Sequence, residues 1–282
     1  MIPTGFDYEV AESTDHALEL LRTKEDAKLI AGGHSLLPLM KLRLAQPGTL
    51  VDIGRVSELR GVRDGGDHLA IGAGTRHHEL NHDPLAKEHC PLIAYTAGLV
   101  GDPQVRHRGT IGGSLAHSDS ASDLSTICLT LDAEIVARGP NGDRTIGAAD
   151  FFKGFLETDL GEDEILTEVR VPKVGRAGWS YLKFRQRSLD WATVGVAALV
   201  GSRNGSIEGA RVGLTNMGQT PLRAAGVEAA LAGAPRDAVA AAAEKADEGT
   251  SPPADLNATA DYKRHLARVL TKRALLKAAG TG

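Results

Sequence analysis

Apolar and polar positions follow one another in short bursts that read as three successive segments of mixed strand and helix. Between Pro3 and Gly32 the pattern predicts a short strand, a helix capped around Ser13 to Asp15 with Ala17, Leu18 and Leu21 on one face, and the apolar strand Lys28 to Ala31. That strand runs directly into two glycines. A further strand, Thr49 to Ile53, closes a small α/β unit before the polar turn Arg63 to Asp67, which places a boundary near Ser57. From His68 the pattern gives a strand to Gly74, helical segments from His77 to Val100, a glycine-rich loop, a helix over Asp123 to Leu131, and strands at Glu134 to Ala137 and Ile165 to Val171.

Pro172, Gly175 and Gly178 then punctuate the chain, and strands are expected at Ser180 to Arg185 and Thr193 to Val200. Asn204-Gly205 stands between two apolar runs, and its tolerance of positive φ suits a type I′ hairpin turn. The alanine-rich remainder predicts helices at Leu222 to Ala232, Asp237 to Ala246 and Asp261 to Ala279. The expectation is an α+β chain of three domains: residues 1–57, 58–174 and 175–282.

Composition narrows the function classes. With 282 residues and 42% hydrophobic content the chain can bury a sizeable core. A net charge of -4 offers no basic footprint for nucleic acid. No apolar run approaches the roughly 18 residues of a membrane span, and Met1 to Val10 lacks the regions of a signal peptide, so the cytoplasm is the expected compartment. Cys90 and Cys128 are the only cysteines, while a [2Fe-2S] cluster takes four thiolates, so no such cluster is expected on this chain alone.

The candidate chemistry lies in two glycine-rich stretches. Leu29, Ile30, Ala31, Gly32, Gly33, His34, Ser35 and Leu36 form an apolar strand that ends in glycines just before a helical turn, where successive N–H groups can form a concavity for phosphate oxygens. Paired glycines after a strand also serve as plain turns. Thr110, Ile111, Gly112, Gly113 and Ser114 repeat the same ingredients after the basic stretch Arg106, His107 and Arg108, itself either a solvated charge run or a phosphate or partner contact. Two such loops suit a dinucleotide, whose two phosphates must both be compensated. Asp123 either caps a helix or accepts from sugar hydroxyls.

Other chemistries find no support. There is no G-x-G-x-x-G after the first strand, and Gly72-Ala-Gly74 reads as an ordinary strand end. Phosphate-loop and nucleophile-elbow patterns are missing. His77, His78, His82 and His89 come without a second ligand cluster and read as solvated or capping residues, so no metal ligand is expected.

Read together and in order, AGGHSLLPLMKLRL, DPQVRHRGTIGGSLAHSDSASDL, ILTEVRVP and YLKFRQRSLDWATVGVAA resemble the flavoprotein subunits of the molybdenum hydroxylases, the group of xanthine and carbon monoxide dehydrogenases, across essentially the whole chain. The resemblance implies a vanillyl-alcohol-oxidase (PCMH-type) fold, with FAD between two N-terminal α/β subdomains and a C-terminal domain of antiparallel sheet and helices. By position, Leu29 to Leu36 and Thr110 to Ser114 would form the two FAD loops, and Asp123 the polar ligand after them. Val100, Leu166 and Lys183 fall where the family also touches the cofactor. Trp191 is then either near the isoalloxazine ring or a core aromatic.

The family further implies a large subunit with the molybdenum cofactor and a small one with [2Fe-2S] clusters, assembled as a dimer of heterotrimers. It also implies an acceptor such as a quinone, association with the inner membrane face through the complex, and no catalytic side chain on this subunit. The alternative is a self-sufficient FAD reductase or oxidase of the same fold, like the enolpyruvyl-reducing enzyme of cell-wall synthesis. A scaffold that has lost the cofactor is a third reading. The substrate is set by the molybdenum subunit and is not written in this chain.

Overall fold

The computed structural model describes residues 2–203 and 206–281. The first segment contains β1 (Asp7–Val10), α1 (Thr14–Thr23), β2 (Ala27–Ile30), α2 (Leu36–Lys41) and β3 (Thr49–Asp52). Its strands form a parallel sheet in the order β1-β3-β2. Ser13 caps α1, its Oγ accepting from the His16 N–H at 3.0 Å. Ala17 and Leu20 are the apolar side chains this helix buries, whereas Leu18 and Leu21 pack only partly against the small core. The expected face is thus rotated toward Leu20.

The middle segment holds β4 (Val62–Asp64), β5 (His68–Gly72), six helices, β6 (Glu134–Gly139), β7 (Gly142–Gly147), α9 (Ala148–Phe151), β8 (Phe152–Gly154), β9 (Glu157–Thr158) and β10 (Ile165–Pro172). The six helices are α3 (His77–His82), α4 (Pro84–His89), α5 (Pro91–Ala97), α6 (Pro103–Arg106), α7 (Ile111–His117) and α8 (Asp123–Thr130). Strand pairing is antiparallel in the order β4-β5-β10-β6-β7. The stretch expected as a glycine-rich loop is therefore largely helical: Thr110 is the N-cap of α7 and its hydroxyl accepts from the Gly113 N–H. A threonine cap outweighs two glycines here because it satisfies an N–H that would otherwise be orphaned at the helix start.

The third segment is a four-stranded antiparallel sheet, β11 (Gly178–Phe184), β12 (Val194–Arg203), β13 (Ser206–Thr215) and β14 (Leu222–Arg223), followed by α10 (Ala225–Leu231), α11 (Val239–Ala243) and α12 (Ala260–Thr281). The hairpin partners β12 and β13 pair from Gly195↔Thr215 to Arg203↔Ser206, and the turn expected at Asn204-Gly205 lies outside the described residues. Leu222 and Arg223 are in a strand rather than in the helix expected there. Val194 to Val200 are buried on both faces, because α12 covers one side of the sheet and α8 the other. That double cover explains why β12 reads as an unbroken apolar run.

Helix α8 is the shared element: all eight of its residues are buried between the middle core and the third sheet. Gly213 of β13 permits this approach, since a Cβ there would overlap the Thr130 hydroxyl. No helix of the described residues is long and apolar enough to cross a membrane.

Candidate functional site

A cleft of about 530 Å³ opens where the first sheet, the middle helices and β11 meet. Sixteen of the seventeen residues singled out from sequence line it: Leu29 to Leu36, Val100, Thr110, Gly112, Gly113, Ser114, Asp123, Leu166 and Lys183. The exception is Ile111, which is fully buried in the middle core. As the first residue of a capped helix it turns its side chain inward, and its N–H donates to Thr75 O at 3.0 Å.

The two glycine stretches are not equivalent. Among the described residues, the N–H groups of Gly32, Gly33, His34 and Ser35 donate to no protein acceptor. They form a run of unspent donors at the cleft wall. In the second stretch the donors are already taken: Ile111 by Thr75 O, Gly112 by Ala73 O at 2.8 Å, Gly113 by Thr110 Oγ1 at 3.1 Å, and Ser114 by Thr110 O at 3.0 Å. The expectation of two matching N–H cradles is therefore corrected to one cradle, with the second stretch offering mainly the Ser114 hydroxyl.

The glycines also differ in what they make room for. A Cβ at Gly32 would overlap the Arg108 carbonyl oxygen, and one at Gly112 would come to 2.6 Å from the Ala73 Cβ, so both serve contacts within the chain. Gly33 is needed for its backbone, with φ +76. Only at Gly113 does the space belong to the cleft, since a Cβ there meets nothing but the Thr110 hydroxyl at 2.9 Å.

On its inner side the cleft is closed by charge. Lys183 Nζ lies 2.7 Å from Asp123 Oδ2, both side chains only 3% exposed, and it also donates to Leu99 O at 3.3 Å. Asp123 Oδ1 accepts from the Tyr181 hydroxyl at 2.6 Å, which sits 3.2 Å from Thr215 Oγ1, itself donating to Thr126 Oγ1. Burial pushes the Asp123 carboxyl above its usual range, against the opposing pull of Lys183 and Tyr181. Asp123 is the first helical residue of α8, and the cap is Ser122, whose hydroxyl accepts from the Ser125 N–H. Asp123 thus holds the ion pair instead of capping.

Other residues are placed differently from expectation. Trp191 is 56% exposed and lines the cleft, which removes the core-aromatic reading. Arg106 is not simply a solvated charge, because its Nη1 donates to the carbonyls of Val100 and Gly101 at 3.1 and 2.9 Å. His77 is buried rather than solvated, and its Nε2 lies 3.3 Å from Ser114 Oγ at the cleft wall. Sequence reasoning missed this partnership, since the two residues are 37 positions apart. Among the described residues no group of three or more His, Cys, Asp or Glu is arranged to hold a metal ion.

Burial holds the His77 imidazole far below its usual range, at about 4, with Arg106 and His34 adding to the effect. A folded pKa below the unfolded value means that the unfolded chain binds the proton more readily, so this contribution is present above pH ~6.5 and is lost as pH falls toward 4. The loss amounts to about 3 kcal/mol if the imidazole alone is counted. Urea unfolding between pH 7 and 4 should show it, and His77→Phe should flatten that part of the profile; an unchanged slope would exclude His77 as its source.

Comparison with known proteins gives this geometry its family. Residues 4–174 match the model of the FAD binding domain in molybdopterin dehydrogenase, and residues 179–278 that of the CO dehydrogenase flavoprotein C-terminal domain. The chain is 43% identical over 279 residues to the carbon monoxide dehydrogenase medium chain of Hydrogenophaga pseudoflava, covering 98% of this chain and 97% of that one. It is 36% identical to the 6-hydroxypseudooxynicotine dehydrogenase complex subunit alpha of Paenarthrobacter nicotinovorans, covering 99% and 96%. A solved structure of the Hydrogenophaga pseudoflava carbon monoxide dehydrogenase lacking the Mo-pyranopterin moiety superposes with a TM-score of 0.97 at 44% identity, covering 100% of this chain and 99% of that one. An unspent N–H cradle, an ion-paired inner wall and a two-part match along nearly the whole length agree: the chain belongs to the FAD-binding flavoprotein subunits of the molybdenum hydroxylases.

Proposed function

We propose that this chain holds one FAD in the cleft and relays electrons from [2Fe-2S] clusters on a small partner subunit to an external acceptor. The observation that carries the reading is the run of four unspent N–H groups from Gly32 to Ser35, on the wall of a cleft of dinucleotide size. In this reading Leu29 to Leu36 receive the pyrophosphate, Thr110 to Ser114 flank it through the Ser114 hydroxyl, and Asp123, Val100, Leu166 and Lys183 complete the contacts. Ile111 supports that wall from the core. The three larger sheets support a division into domains 1–57, 58–174 and 175–282, with the cleft between them.

FAD, when bound, supplies the electron chemistry; the chain's own work is to bind it, orient it and keep water from one side. No side chain acts as acid, base or nucleophile in this scheme. The partners are a large subunit with the molybdenum cofactor and a small iron-sulfur subunit, doubled by a two-fold axis into a dimer of heterotrimers. In the cytoplasm, at the inner membrane face, a quinone is the acceptor. The relatives act on chemically unrelated compounds, judging by their names, so the substrate class belongs to the large subunit.

Gly113→Val fills the cleft and meets only the Thr110 hydroxyl, so it should empty the protein of flavin while costing about 1 kcal/mol of stability through the loosened cap. Gly32→Ala, which meets the Arg108 carbonyl, should instead cost about 1–3 kcal/mol of stability. Flavin absorbance per chain and a thermal melt check both, and stoichiometric flavin in Gly113→Val would contradict the reading. Native mass analysis of the purified complex tests the assembly. Equal numbers of large, medium and small chains, two of each, are expected; a lone chain that oxidises an organic substrate would overturn the relay.

A further inference from the structure

His77 is only 2% exposed, and its Nδ1 has no hydrogen-bond partner. A buried imidazole with an orphaned nitrogen costs stability. Its place is fixed from three sides. The His77 N–H donates to Gly109 O at 3.0 Å, the ring packs so tightly on Gly109 that a Cβ there would lie 2.9 Å from Cδ2 and Nε2, and Nε2 reaches Ser114 Oγ at 3.3 Å.

The tautomer follows from what each alternative leaves unsatisfied. With the proton on Nδ1, a buried N–H donor would be orphaned; with the proton on Nε2, only an acceptor lone pair is, and orphaned donors are the rarer of the two. The Nε2–H then donates to Ser114 Oγ, and the serine proton must turn away from the ring. Since Ser114 lines the cleft and its N–H is already bound to Thr110 O, that hydroxyl proton is the donor the second stretch has to offer.

We propose that His77 is a positioning residue that fixes the Ser114 hydroxyl as a hydrogen-bond donor toward a phosphate oxygen of the ligand in the cleft. The proposal deepens the flavin reading and rests on it. It also accounts for the retention of a destabilising group: the imidazole is kept for the direction it gives the serine proton, through a bond that phenylalanine cannot make and that a glutamine amide can.

The test uses the full chain freed of flavin, titrated with FAD and followed by flavin fluorescence, alongside a thermal melt of the same ligand-free samples. His77→Phe should weaken FAD binding about tenfold while the ligand-free protein melts at the same or a higher temperature. A merely structural histidine would lower both together. His77→Gln should restore affinity to within about threefold, its side-chain amide replacing the Nε2 donor. Ser114→Ala should lose as much as His77→Phe, and the double variant no more than either, since the two act through one bond.

Wild-type affinity in His77→Phe, a binding loss that tracks the loss of melting temperature, or additive losses in the double variant would each overturn the proposal and leave the flavin reading standing. A wild-type chain that fails to bind FAD at all would remove both. Should His77→Phe not fold, Ser114→Ala against His77→Gln decides: the first must lose affinity and the second must keep it.

Discussion

A lysine ammonium sealed from water is tolerated only with a counter-charge, and Lys183 shapes much of this molecule through that requirement. It stands on β11 of the third sheet, yet its charge is met by Asp123 at the start of α8 and by the carbonyl of Leu99 just beyond α5. Three elements distant in sequence are thereby drawn to one point. Tyr181, two residues earlier on the same face of β11, adds its hydroxyl to the other carboxylate oxygen. Removing one partner would leave an uncompensated buried charge, a loss of about 3–5 kcal/mol. The pair is therefore at once the inner wall of the cleft and the clasp between the middle and third segments.

The opposite wall depends on a different economy, in which donors are either spent on the fold or left for a ligand. Helix α7 spends every N–H of its first turn, through the Thr110 cap and the carbonyls of Ala73 and Thr75. The segment Gly32 to Ser35 spends none. Its conformation is held by other means: the positive φ of Gly33, the close approach of Gly32 to Arg108, and the His34 ring against the Gly32 carbonyl at 3.0 Å. Order without internal donors is what a ligand bound through backbone N–H groups needs, because little conformational entropy is left to lose on binding.

Much of this was legible in the chain itself. The strands, the cap at Ser13 and the apolar run of β12 follow from local pattern, and the two glycine stretches line one cleft. What the pattern could not separate was glycine that clears space for a ligand from glycine that clears space for the chain. Gly112 and Gly113 are neighbours in one motif, but only the fold shows that the first lies on Ala73 and the second on open cleft. The His77–Ser114 and Lys183–Asp123 contacts are similarly silent in sequence, since each joins residues whose meeting depends on long-range packing. Helix α8 carries almost no amphipathic signal because both of its faces are buried.

The proposed seating puts the phosphates of FAD on the N–H groups of Gly32 to Ser35, with the second stretch adding only the Ser114 hydroxyl. An experimental structure of the flavin-loaded chain tests it directly. Phosphate oxygens are expected within hydrogen-bond distance of the N–H groups of Gly32 to Ser35, with the Thr110 cap on Gly113 intact and Ser114 contributing only its hydroxyl. Phosphates seated on the first turn of α7, with that cap opened and the Gly32 to Ser35 donors left to water, would contradict it.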